Sequence, residues 1–204
     1  MKEWLKSRIN TIVWCIFAAT SAVAVLGWSR NSTELTSVYR LFPLIGLLAF
    51  STMWGHYVVW SINTYSGADS NKYRLYSKFT HWLVLICILL HPGLIIYKLN
   101  ADGFGLPPKS YSSYVGSALV GYVILGSICL AIFLIFELKK YLVRYKKVWS
   151  IVLILNHLAM LGIVIHALRL GSDLATSGFR YVWMFYGISL LFIYFYLYKN
   201  KKLF

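Results

Sequence analysis

Long apolar runs, separated by short polar stretches, cover almost the whole chain. Six segments are apolar over about 20 residues each, the length that an α-helix needs to cross the hydrocarbon core of a bilayer. They lie at about 9–28, 38–62, 78–98, 114–137, 148–170 and 179–198. The connections between them are too short to form a core of their own. The pattern therefore predicts an all-α membrane protein, a bundle of six transmembrane helices forming a single transmembrane domain over residues 1–204.

The first segment also has features of a secretory signal peptide, because basic residues precede its apolar run. That run is about 20 residues long, which exceeds the usual apolar region of a signal peptide. It also lacks a clear small-x-small cleavage site before Trp28. We therefore expect the first helix to be retained in the mature protein.

Composition agrees with a membrane protein, since 59% of the 204 residues are hydrophobic. The net charge of +14 is informative mainly through its distribution. Fourteen of the 20 Lys and Arg residues fall at 2–8, 72–78, 139–147 and 199–202, on one predicted side. The other six are Arg30, Arg40, Lys98, Lys109, Arg169 and Arg180. The positive-inside bias predicts that both termini are cytoplasmic, N-in and C-in. The basic face is expected to meet anionic lipid head groups or an acidic partner, and no nucleic acid.

All five histidines lie within the predicted spans. They are His56, His81, His91, His157 and His166. A polar residue inside lipid is costly and tends to face the bundle interior. The spans hold no Asp or Glu apart from Glu137 at an inner end, so a carboxylate–histidine proton relay, and with it a histidine-lined transporter, is disfavoured. The three cysteines form no CxxC motif and read as packing residues.

The histidines are suited to ligate iron. Neutral imidazole is a strong iron ligand, and bis-histidine haem takes one ligand from each of two facing helices. The third predicted helix carries His81 and His91, and the fifth carries His157 and His166. Both helices run from the inside to the outside, which makes His91 and His166 the outer pair. The pattern predicts haem b, either one or two per chain, with these four histidines as the iron ligands.

The number of haems stays open at this point. The spacings correspond to a rise of about 15 Å and about 13.5 Å, which suits two haems stacked across the membrane. However, His81 lies about 80° around the helix from His91, and His157 about 180° from His166. A single haem held by His91 and His166 is therefore a second interpretation. His56 lies at a depth similar to that of His81, where it could replace His81 as an inner ligand. A role as a non-ligand is the preferred interpretation, and His56 stays unassigned.

Arg169 lies one helical turn outward from His166, where it is suited to pair with a haem propionate. The alternative is an ordinary arginine at the membrane interface. Arg74 and Lys78 stand in a similar place on the cytoplasmic side of His81, but the positive-inside bias is the preferred explanation for them.

Two segments around these histidines resemble a known family. They are Arg74–Tyr97 (RLYSKFTHWLVLICILLHPGLIIY) and Trp149–Asp173 (WSIVLILNHLAMLGIVIHALRLGSD). In the first, basic residues precede an apolar run that ends in His-Pro. In the second, Trp opens the segment, and His-Ala-Leu with a later Gly-Ser-Asp closes it. The chain resembles, over residues 38–198, the ferric-reductase-like transmembrane domain, the haem-bearing six-helix core of NADPH oxidases and ferric reductases. Bacterial stand-alone forms include the haem-binding membrane subunit of the periplasmic methionine sulfoxide reductase system.

The inner histidines depart from that family. The family usually has about 13 residues between the two histidines of each helix, which would place the inner ligands at Ser77 and Leu153. His81 and His157 each stand four residues later, about one turn outward. The equal shift suggests a relocated inner site.

The residues and the resemblance together predict a membrane cytochrome b, the electron-transfer component of a ferric-reductase-like oxidoreductase in a bacterial plasma membrane. Its donor would be a flavoprotein reductase, with flavin on another chain, or a quinol, on the cytoplasmic side. Its external acceptor would be ferric iron, oxygen or a partner reductase. The alternative is a non-catalytic membrane anchor or assembly subunit with structural histidines.

Overall fold

The computed structural model describes residues 1–30, 38–171, 174 and 178–200. Within these ranges the chain is helical and has no strand. The α-helices are α1 (Lys2–Ser29), α2 (Val38–Ser66), α3 (Arg74–Ala101), α4 (Lys109–Val115), α5 (Val120–Glu137), α6 (Lys139–Leu142), α7 (Lys146–Leu170) and α8 (Phe179–Lys199). Six are long and apolar enough to cross a membrane, all but α4 and α6. The predicted all-α class with six apolar helices is confirmed.

Some sequence predictions fall on residues outside the described ranges. These are most of the outer loops at 29–37 and 171–178, including Asp173 of the second resembling segment, and the basic residues Lys201 and Lys202. The single domain over 1–204 and the N-in, C-in orientation stay predictions.

The helix boundaries differ from the predicted ones in three places. α1 begins at Lys2 and α3 at Arg74, so basic residues occupy their first turns. The fourth span was predicted to start at 114, but the helix is interrupted at Gly116. The backbone angles there, φ 78° and ψ 155°, are accessible essentially only to glycine. A 3₁₀ turn at Ser117–Leu119 follows before α5 begins. The basic loop predicted at 139–147 contains α6.

The chain divides into two compact units, and the first combines the N-terminal helices with the end of α8. It contains α1, α2, α3 as far as Lys98, and α8 from Ser189 onward. α1 packs along α2, around a core that includes Ile9, Val13, Val59, Tyr73 and Tyr76. The indole N–H of Trp54 donates to Oγ of Ser189 at 2.8 Å, which ties α2 to α8.

The second unit runs from Leu99 to Ile188. Its centre is the α5–α7 pair, whose backbones approach closely. The approach depends on small residues: a Cβ added at Gly162 of α7 would lie 2.7 Å from Sγ of Cys129 on α5. Glycine lets helices come this close in lipid, where packing and not the hydrophobic effect drives helix association.

Polar and apolar side chains are distributed as a bilayer requires. The buried hydroxyls of Thr20, Thr52 and Thr80 donate to carbonyls of their own helices, at 3.1, 2.8 and 2.8 Å. Large apolar side chains point outward instead, such as Phe192 and Phe195, which are 70% and 67% exposed. An exposed apolar surface of this kind is stable in lipid and not in water. The protein is an integral, multi-pass membrane protein.

Candidate functional site

His91 is held against the backbone of a neighbouring helix. Its side chain leaves α3 and reaches α2, where Nδ1 lies 2.7 Å from the carbonyl oxygen of Phe42. The imidazole also lies over Gly46, one helical turn further along α2: a Cβ built there would be 2.7 Å from Nδ1. The ring of Phe42 completes the contact, with its centroid 5.3 Å from that of the imidazole.

His166 is held in the same way in the other unit. Its side chain leaves α7 and reaches α5, where Nδ1 lies 2.7 Å from the carbonyl oxygen of Tyr122. The ring lies over Gly126, and a Cβ built there would be 2.5 Å from Nδ1. We call this arrangement a histidine seat: a helix carbonyl, a glycine four residues later, and a histidine from the next long helix against both.

The acceptor in each seat determines where the proton of the neutral ring lies. A carbonyl oxygen can only accept a hydrogen bond, so Nδ1 of His91 and of His166 must donate. The lone pair of each neutral ring is then on Nε2. This is the tautomer that metal-binding histidines adopt when the second ring nitrogen is hydrogen-bonded to a backbone carbonyl.

His157 has a related but distinct environment. It is buried, and its Nδ1 is hydrogen-bonded to the carbonyl oxygen of Leu153 on its own helix, α7. The acceptor again places the proton on Nδ1. Leu153 is the position at which the resembling family would carry its inner histidine. His157 is therefore oriented by its own helix and not by a seat on a neighbouring one.

His56 is oriented in the opposite sense. Its Nε2 lies 2.7 Å from Oγ1 of Thr80, and that hydroxyl donates to the carbonyl oxygen of Tyr76 at 2.8 Å. Because the hydroxyl proton is committed to Tyr76, Nε2 of His56 must donate to Thr80. The lone pair of the neutral ring is then on Nδ1.

His81 lies next to this group. It is exposed on α3, and it is close enough to His56 for an electrostatic interaction. Its imidazole also meets the ring of the adjacent Trp82 edge-on, at 6.0 Å between centroids. His81 and His91 thus lie on the same helix, and His91 occupies a separate seat.

Arg169 lies beside the His166 seat. Its guanidinium carbon is 5.6 Å from the centroid of the Tyr122 ring, the residue whose carbonyl accepts from His166. This is the distance of a cation–π contact. Arg169 is exposed, so its guanidinium is accessible to an anionic group next to the His166 seat.

The donors of the two seats are compatible with axial ligation of haem iron. Among the described residues, no group of three or more His, Cys, Asp or Glu side chains could hold a metal ion by itself. Haem iron needs less from the protein, because the porphyrin supplies the equatorial ligands. Histidines with the proton on Nδ1 and the lone pair on Nε2 are suitable axial ligands, and His91 and His166 both have this form.

Comparison with protein-family models, with curated proteins and with solved structures finds no match to this chain. The resemblance to the ferric-reductase-like domain therefore rests on the residues quoted above.

The sequence predicted the histidines but not what holds them. The carbonyls of Phe42 and Tyr122 lie 49 and 44 residues before their histidines. The partial signal is an aromatic residue four positions before a glycine, in FPLIG (42–46) and YVILG (122–126). That pattern is common in apolar helices. It becomes informative only when the structure shows that the aromatic residue and the glycine face a histidine on the neighbouring helix.

Proposed function

We propose that this chain is a membrane cytochrome b of the ferric-reductase-like type, in which His91 and His166 each supply an axial ligand to haem b. The observation that carries the proposal is the pair of matching histidine seats. Both histidines donate to a backbone carbonyl at an Nδ1–O distance of 2.7 Å, and each has a glycine beneath its ring, four residues after the acceptor. The repetition of this arrangement supports a common role for the two histidines.

The seats supply what an axial ligand needs. The carbonyl of Phe42 or Tyr122 holds the proton on Nδ1, fixes the plane of the ring and makes Nε2 a stronger electron donor. Haem, when bound, would supply one-electron redox chemistry. The apolar helices around the site would exclude water and help to set the potential.

Arg169 would bind a propionate of that haem. Its place beside Tyr122 puts a cation next to the seat that orients His166. A guanidinium–carboxylate pair can form two parallel hydrogen bonds and would anchor the porphyrin edge. His81 and His157 are the candidate ligands of a second, inner haem, so the proposal covers one haem or two per chain.

The charge distribution predicts the orientation of the chain, and the proposed electron path uses that orientation. The basic residues of 2–8, 72–78, 139–147 and 199–202 would face the cytoplasm of a bacterial plasma membrane. A cytoplasmic flavoprotein reductase or a membrane quinol would then deliver electrons on that side. Ferric iron, oxygen or a partner reductase would accept them outside.

An absorbance spectrum of the purified protein tests the class. Protein expressed with an adequate haem supply should show a Soret band and an α band of b-type haem that change on reduction with dithionite. A pyridine haemochrome assay should confirm haem b. A colourless preparation that also takes up no added haemin would contradict the proposal and leave a membrane anchor or assembly subunit.

A further inference from the structure

The two histidine seats share a glycine whose position is dictated by helix geometry. In an α-helix the carbonyl of residue i points toward the N–H of residue i+4. A ring that reaches this carbonyl from the side must therefore pass close to the Cβ position of residue i+4. Gly46 stands four residues after Phe42, and Gly126 four residues after Tyr122. Both glycines lie where a side chain would obstruct the ring.

The size of the obstruction is large. A Cβ at Gly46 would lie 2.7 Å from Nδ1 and 2.8 Å from Cε1 of His91. A Cβ at Gly126 would lie 2.5 Å from the same two atoms of His166. A Cβ atom essentially never lies this close to another heavy atom, so the imidazole would have to shift from its place on the carbonyl.

Other glycines of these helices do not show this feature. A Cβ at Gly93 on α3 or at Gly121 on α5 would meet nothing within 4 Å. At Gly55 on α2, the nearest atom would be Cγ2 of Ile16 at 3.6 Å, an ordinary contact. The close approach to an imidazole is therefore specific to Gly46 and Gly126, and it differs from glycine-mediated packing of one helix against another.

We infer that Gly46 and Gly126 are positioning residues for the haem ligands His91 and His166, each leaving space for an imidazole to donate from Nδ1 to a helix carbonyl. This inference rests on the proposed function. It assigns the orientation of each ligand, and hence part of the haem affinity and potential, to a residue that is not itself an iron ligand.

The consequence of losing either glycine follows from the lost hydrogen bond. Without the Nδ1–H···O=C bond, the ring is free to rotate and Nε2 becomes a weaker donor. Outer-sphere partners of this kind are worth about 10- to 100-fold in metal affinity. A weaker donor stabilises ferric iron less than before, so the reduction potential should rise.

The first measurement uses the haem-free protein. Histidine labelled with nitrogen-15 reports which ring nitrogen carries the proton. In wild-type protein, His91 and His166 should show the Nδ1–H form with a strong hydrogen bond. Gly46→Ala should remove this signature from His91 alone, and Gly126→Ala from His166 alone. Gly93→Ala and Gly121→Ala are the matched controls on α3 and α5, and both should leave the two signatures unchanged.

The second measurement titrates haemin into the same proteins and follows the reduction potential. Gly46→Ala and Gly126→Ala should each weaken haem binding about 10- to 100-fold and raise the potential. The controls should match wild type. If the alanine variants retain the wild-type nitrogen signatures, haem affinity and potential, the positioning role is overturned.

The two measurements separate this inference from the proposed function. If wild-type protein binds no haem but the nitrogen signatures change as expected, the glycines do position the histidines and the cytochrome assignment is wrong. If wild-type protein binds haem through both histidines but the glycine variants behave like the controls, the cytochrome assignment holds and the positioning role is wrong.

A further pair of variants covers the case in which Gly46→Ala does not fold. His91→Gly removes the clashing ring, and imidazole from solution should occupy the seat and restore the haem spectrum. Gly46→Ala combined with His91→Gly contains no internal clash, but its Cβ fills the place of the added imidazole. The double variant should need about 10- to 100-fold more imidazole than His91→Gly alone. Equal requirements would overturn the inference.

Discussion

At the scale of single residues, the partner of each ring nitrogen decides what a histidine can do. Carbonyl acceptors place the proton on Nδ1 in His91, His166 and His157, which puts the lone pair of each neutral ring on Nε2. In His56, the committed hydroxyl of Thr80 places the proton on Nε2 instead. These four intramembrane histidines therefore fall into two tautomers, one with the proton on Nδ1 and one with the proton on Nε2.

Thr80→Val tests the form assigned to His56. Valine matches threonine in shape but cannot accept a hydrogen bond, so Nε2–H of His56 would lose its partner in a buried place. Leaving a buried donor unsatisfied costs about 1–3 kcal/mol, and the free energy of unfolding should fall by that amount. Thermal unfolding in detergent measures it. Haem content should not change.

The control for this prediction is Thr52→Val. Thr52 is also buried, and its hydroxyl donates to the carbonyl oxygen of Leu48 on its own helix at 2.8 Å. Its loss strands no histidine, so the cost should be smaller than that of Thr80→Val and close to that of one hydrogen bond, about 0.5–1.5 kcal/mol. Equal losses for the two variants, or a loss of haem in Thr80→Val, would show that the role assigned to His56 is wrong.

The candidate histidines could be predicted from the sequence because an ionisable residue within an apolar span is conspicuous there. Their partners could not be predicted, because Phe42 and Tyr122 contribute backbone carbonyls, which every residue carries. The distinction between His56 and His91 likewise depends on a hydroxyl in one case and a carbonyl in the other. Both are contacts made across helices, and the register of those helices is not visible in a single apolar pattern.

At the scale of helices, close packing of α5 against α7 depends on Gly162. A Cβ there would lie 2.7 Å from Sγ of Cys129, so Gly162→Ala should push the two helices apart. Overpacking of this kind typically costs about 1–3 kcal/mol of stability. Cys129→Ala removes the sulfur that the added methyl would meet. The double variant should therefore recover most of the loss, as thermal unfolding of the four proteins in a double-mutant cycle would measure.

Gly121→Ala is the matched control for this cycle. It lies on α5, and a Cβ there would meet nothing within 4 Å, so alanine should be neutral or slightly stabilising. If Gly162→Ala and Cys129→Ala have additive effects, the sulfur is not what limits the approach of α7 to α5.

The existence of the six apolar helices was predictable because length and composition alone define a membrane span. Their ends were less predictable. Apolar composition continues through Gly116, and only the backbone shows that the chain there takes a conformation reserved for glycine. At the start of α1 and α3, charged residues were taken as loop, yet they extend the helices into the predicted interfacial region.

At the scale of the molecule, each compact unit carries one histidine seat. The first has Gly46 beneath His91, and the second has Gly126 beneath His166. In both, the glycine helix directly precedes the histidine helix among the six long helices. The match between the seats was not visible as a sequence repeat. The match supports a shared role for His91 and His166. The seats are found for this predicted outer pair and not for the predicted inner pair, His81 and His157.

Haem equivalents per chain, measured in wild-type protein and in histidine variants, test the central claim most directly. His91→Ala and His166→Ala should each remove one haem equivalent. The double variant should remove no more than either alone if the two histidines share one haem. His56→Ala should change nothing, and His81→Ala and His157→Ala should remove a second equivalent if the inner haem exists. Unchanged haem content in both His91→Ala and His166→Ala would contradict the account.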